Sequence, residues 1–171
     1  MNTRLEPGRP SPPWRAALLV VAGLLAPGAA TAAAGSPTQL ALQESVVFGT
    51  GHQQPIGVFA AVGLSGCESG TFVDHLNQLN EGGHTLVVDR SYSCNGDTST
   101  FTARMVLHLE PVDANGNQTV VGEWTILDSS GGLSGVHGTG TTSGVSSGCT
   151  PIGAQLPMCQ TGVSTVTASI Q

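Results

Sequence analysis

The segment Gly122-Glu-Trp-Thr-Ile-Leu-Asp-Ser-Ser-Gly-Gly-Leu-Ser-Gly-Val-His-Gly-Thr-Gly-Thr-Thr-Ser-Gly144 decides how this chain is read. It begins as an alternating strand, with Val120, Gly122, Trp124 and Ile126 on one face. It then passes into a run in which Gly131, Gly132, Gly135, Gly138, Gly140 and Gly144 punctuate Leu133 and Val136. Glycine inside strands marks bulges, corners and close approach of backbones, which a small closed sheet needs where it bends sharply. The run has no Gly-Lys-Ser/Thr to cradle a phosphate. Gly132-Leu-Ser-Gly-Val136 lacks the last glycine of a nucleophile elbow. The segment is therefore the grammar of a barrel, not of a catalytic motif.

Working outward, Thr100-Phe-Thr-Ala-Arg-Met-Val-Leu-His-Leu-Glu110 is the clearest strand. Phe101, Ala103, Met105, Leu107 and Leu109 share one face, and Thr102, Arg104, Val106, His108 and Glu110 share the other; a helix would scatter both sets. Before it, residues 71–76 and 84–92 read as a hairpin around the Asn80-Glu-Gly-Gly83 turn. Ile56 to Val62 reads as a short buried strand, and Leu40 to Phe48 as either a first strand or a short helix. After Pro111 and Asn115-Gly116 the chain returns over 119–127. Ser146 to Cys159 is expected to be a loop, and Val163 to Ile170 a closing strand. The sum is an all-β fold, a small antiparallel barrel of about eight strands, with a core over 56–170. Aromatic residues are few, which implies either space inside the barrel or a smaller radius.

The N-terminal end carries a different signal. Arg4, Arg9 and Arg15 precede the apolar run Ala16 to Leu25, which is too short to span a bilayer of about 30 Å, and small residues follow with a cut expected between Ala32 and Gly35. Residues 1–34 thus read as a secretory signal peptide and 35–171 as one domain, secreted to the extracellular space. Only Arg90 and Arg104 then remain as basic residues, and the sequence has no lysine. So acidic a chain offers no footprint for nucleic acid or for an anionic membrane surface. Four cysteines in a secreted chain imply two disulfides, with three possible connectivities. Cys67 with Cys94 and Cys149 with Cys159 are favoured because each pair brackets a local hairpin or loop.

In outline the chain resembles a family of secreted, mostly bacterial proteins related to the allene oxide cyclase-like and dirigent-like β-barrels. The resemblance rests on Cys67-Glu-Ser-Gly-Thr-Phe72, Tyr92-Ser-Cys94, Asp97-Thr-Ser-Thr-Phe101, Trp124 and Ser129-Ser-Gly-Gly-Leu-Ser-Gly-Val-His-Gly-Thr-Gly140. Ser129 and Ser130 stand where the pattern has Gly-Thr, and Leu133 where it has Tyr. The resemblance implies a pocket inside the barrel for a small hydrophobic molecule. Enzymes of that kind cyclise or couple such molecules, but fold alone does not carry activity across.

With Phe101, Met105 and Trp124 inward, the hairpin phase turns Phe72, Asp74, Leu76, Leu86, Val88, Arg90 and Tyr92 inward as well. Asp74, Arg90, Tyr92 and Trp124 are the candidate ligand-binding residues; no catalytic residue is assigned. Asp74 and Arg90 would meet in an apolar interior, either as a structural lock or as the polar end of a ligand site. No cofactor is expected. His52, His75, His84, His108 and His137 form no close metal-binding set, and no metal is expected either. The function expected is binding of a small, largely apolar molecule. The alternatives are a filled barrel acting as an extracellular structural or interaction module, and a cyclase-type isomerase working inside the barrel. Oligomeric state is not legible.

Overall fold

Segments of about ten residues that alternate apolar with small polar side chains are two-faced, and closing them into a ring buries every apolar face at once. The computed structural model describes residues 36–49, 54–79, 84–96, 98–152 and 155–171. The signal peptide expected over 1–34, His52 and the turn at 80–83 lie outside the described residues, as does the side chain of Leu76. The strands are β1 (Thr38–Val47), β2 (Ile56–Val62), β3 (Ser69–Leu79), β4 (Thr85–Cys94), β5 (Thr100–Leu109), β6 (Gln118–Ser130), β7 (Gly138–Ser147), β8 (Thr150–Ile152), β9 (Gln155–Met158) and β10 (Thr161–Ile170). Eight of them close in the order β1-β10-β7-β6-β5-β4-β3-β2, and each neighbouring pair is antiparallel. The fold is the closed antiparallel barrel that the alternation implies, and both disulfides pair as favoured.

One open reading is decided and two others change. β2, which was expected to be buried, buries only Phe59 and Ala61 while exposing Ile56, Val58 and Val62. The first segment is a strand and not a helix: Leu40, Leu42, Glu44 and Val46 are buried while their neighbours in β1 are exposed. The stretch 146–159 is not simply a loop, because Ser146 and Ser147 finish β7, and β8 and β9 pair as a small separate sheet tied by Cys149–Cys159.

The glycine-rich run divides into two uses. Gly131 and Gly135 take positive φ in a turn that includes the 3-10 segment Gly131–Leu133. Gly140, by contrast, lies within a regular ladder opposite Trp124 and Ala168. A Cβ there would fall 2.1 Å from the Thr167 carbonyl oxygen and 2.5 Å from Ala168. Only glycine allows the backbones to come this close, and a small barrel bends sharply at such points. Within the barrel the irregularities of register lie elsewhere, between Leu76 and Gln78 and between Thr102 and Ala103.

The interior is built unevenly along the barrel axis. At the end holding the β2–β3, β4–β5 and β6–β7 connections, Phe59, Phe72, Tyr92, Phe101 and Trp124 fill the bore with Leu40, Leu42 and Leu133. Tyr92 stacks on Phe101 with centroids 4.2 Å apart, and Phe59 meets Tyr92 edge-on at 5.3 Å. The opposite end is lined by Val46, Leu86, Val88, Leu107 and Leu109, which do not fill it.

Candidate functional site: a charged floor beneath an apolar cavity

The site follows from strand register. Asp74 on β3 and Arg90 on β4 are direct cross-strand partners, and both point inward in the alternation that also buries Phe72, Val88 and Tyr92. The Arg90 guanidinium donates from Nε to Asp74 Oδ1 at 2.5 Å and from Nη2 to Oδ2 at 2.8 Å. This is the bidentate fork geometry that makes arginine–carboxylate pairs strong. Its Nη1 donates to Glu44 Oε2 at 2.6 Å. Glu44 reaches this point from β1, where it faces Phe59 of β2 and Ser164 of β10.

Glu44 is the residue that sequence reasoning missed, and it is central. Its Oε1 accepts the Tyr92 hydroxyl at 2.6 Å, and its Oε2 also accepts the Ser164 hydroxyl at 2.7 Å. The Trp124 indole donates to the Tyr92 oxygen at 3.3 Å. Arg90 lies over the Phe72 ring, its Cζ 3.9 Å from the centroid. Among the described residues no buried side-chain polar atom lacks a partner. Three buried ionised groups carry a desolvation cost of several kcal/mol each, tolerable only with pairing as complete as this. Burial opposes the charge of Arg90, but the bond to Asp74 and the nearby Glu44 outweigh it and hold its pKa above the ordinary value. Burial pushes the Tyr92 phenol well up, with the negative charge of Glu44 adding to it, so Tyr92 is a neutral donor. Two carboxylates against one guanidinium leave the cluster one negative charge in excess.

Above this layer lies a cavity of about 520 Å³. Its walls include Val46, Leu86, Val88, Met105, Leu107 and Leu109, and Phe48, Pro157 and Met158 also line it. Asp74, Arg90 and Ser164 contribute its polar part, joined by Thr142, Ser146 and Gln118. The four candidates from the sequence therefore separate. Asp74 and Arg90 line the cavity. Tyr92 and Trp124 do not, because they belong to the aromatic packing behind the charged layer, both fully buried, and they orient Glu44 from there. The alternation of β1 was the one signal for Glu44: an acidic residue in phase with Leu40, Leu42 and Val46 is an inward charge and calls for a partner.

Among the described residues no group of His, Cys, Asp and Glu side chains is arranged to hold a metal ion. His75 contacts Gln54, His108 contacts Thr85, and His137 contacts the Gly135 carbonyl, all at exposed sites. Compared with family models, curated proteins and solved structures, the chain matches none. The two disulfides fit a non-reducing environment.

Proposed function

We propose that this is a secreted barrel that binds a small, largely apolar molecule in its open end, with the molecule's polar end directed to the Asp74–Arg90–Glu44 layer. The observation that carries the reading is the cavity itself. At about 520 Å³ it falls within the range of small-molecule sites, which are mainly apolar with a few convergent polar groups. A filled barrel would have no such space. The resemblance to the allene oxide cyclase-like and dirigent-like barrels points the same way, toward a hydrophobic guest held inside the bore.

The charge of the floor narrows the guest. With Arg90 committed to Asp74 and Glu44, and one negative charge in excess, a hydrogen-bond donor or a cation is favoured at the polar end over a carboxylate.

Calorimetric titration with decylamine, decanol and decanoate tests this, since chains of about ten carbons suit a cavity of this class. We expect the amine and the alcohol to bind, and the amine to bind at least about tenfold more tightly than the carboxylate, a gap of about 1.4 kcal/mol. Absence of binding by all three ligands, with no retained mass in native mass spectrometry, would overturn the cavity as a binding site. Equal binding by all three would keep the site and remove the preference for a donor.

A further inference from the structure

The outside of the barrel is as uneven as the inside. On β1, β2, β7 and β10, which are contiguous in the sheet, the single charged residue is Glu44, and it points inward. Their outward positions carry valine, isoleucine, alanine, threonine, serine and glutamine. Val58, Val163 and Val62 are 57 %, 60 % and 75 % exposed, and Val47, Ile56 and Val145 are exposed too. Register makes them one surface. Ser45 of β1 pairs with Val58 on one side and Val163 on the other, and Val163 pairs in turn with Val145. Val47 and Ile56 pair in the adjoining row. The opposite wall, formed by β3 to β6, carries His75, Asp89, Arg104, His108 and Glu123 outward, with Arg104 paired to Asp89.

We infer that the protein self-associates through the outer face of β7, β10, β1 and β2. An exposed apolar patch of this extent marks an interaction surface. Two observations make a second copy the occupant. The chain is acidic, with a formal charge of −6, so two copies can meet without like-charge repulsion only where charge is absent. A partner of opposite charge would be drawn to the charged wall instead. A two-fold axis through the face sets β10 and β1, its central strands, against their own copies, as an isologous interface requires. Strands about 4.8 Å apart with a rise of about 3.4 Å per residue give this half of the barrel wall a span of about 20 Å along its curve by about 25 Å along the strands. Pairing two such walls removes at most on the order of 1,000 Å² from water, the threshold for a specific interface.

Sedimentation velocity on the purified protein, diluted from about 100 µM to about 1 µM, reads this association over the relevant range of Kd. The expected result is a dimer at the upper end. Val163→Glu and Val163→Lys should each weaken association at least about 30-fold, as loss of a central contact does. Mixing the two variants should restore it, which no folding defect would allow. Glu123→Gln, on the charged wall, should leave association unchanged. A monomer at about 100 µM would overturn the inference, including the case in which another macromolecule covers the face. So would a dimer that tolerates Val163→Glu, or variants that stay folded by urea titration but do not recombine on mixing.

Discussion

The two ends of the barrel share strands, pairing and alternation, yet one is packed solid and the other holds a cavity. At the packed end the inward positions are Phe59, Phe72, Tyr92, Phe101 and Trp124. At the open end the cavity is lined instead by Val46, Leu86, Val88, Leu107, Leu109, Val120 and Gly144. The cavity follows the difference in side-chain volume between the two sets. Between the two stands the charged layer, which faces aromatic rings on one side and the cavity on the other. Closing one end with aromatic residues and leaving the other to aliphatic residues and glycine converts a structural barrel into a cup.

The sharpest way to break this arrangement is to remove the cation between its two halves. Arg90→Met leaves Glu44 and Asp74 buried without their shared partner, and we expect a loss of about 5 kcal/mol in urea unfolding, the upper end for breaking a buried ion pair. Combining it with Glu44→Gln and Asp74→Asn should recover most of that loss, because neutral groups carry no such penalty. If Arg90→Met alone cost less than about 1 kcal/mol, the layer could not be the tightly coupled unit that its distances describe.

The two ends should then respond differently to truncation. Trp124 is fully buried in the packed end, and Trp124→Ala should destabilise by about 4 kcal/mol. Leu109 borders the cavity, where one side of the side chain already faces empty space. Leu109→Ala forfeits fewer contacts and should cost less than about 2 kcal/mol, below the usual range for a packed leucine. Equal costs would mean that the open end is as tightly packed as the closed one.

How much of this was legible in the sequence depends on whether a feature is local or crosses the barrel. The faces of β5 and the inward phase of the β3–β4 hairpin follow from alternation within a few residues, so the meeting of Asp74 with Arg90 was readable. The disulfides also bracket local turns. Glu44 was not readable in the same way: one residue after it, the consecutive apolar residues Val46, Val47 and Phe48 blur the period of β1. Its partners Arg90 and Ser164 are 46 and 120 residues away, brought near only by closure of the sheet. The separation of Tyr92 and Trp124 from the cavity was hidden for a related reason. Period decides whether a side chain points inward, but not how far along the axis it sits, and these two belong to the packed half.

The smallest expected effect on stability carries the most information about function. Val120 of β6 lines the cavity and is a cross-strand partner of Leu109 and Gly144, with open space in front of it. Val120→Phe extends an aromatic ring into that space. In a packed core such a gain in volume costs about 1–3 kcal/mol, whereas an empty site accepts it, so we expect a change in unfolding free energy of less than about 1 kcal/mol. The same ring occupies the volume that a guest needs, and decylamine binding should fall at least about tenfold, equivalent to about 1.4 kcal/mol. The combination separates the two ends of the comparison in one variant. A protein of unchanged stability that no longer binds identifies the open end as a receptor. A variant that binds as before places the guest elsewhere, and one destabilised by several kcal/mol shows an end already filled by its own side chains.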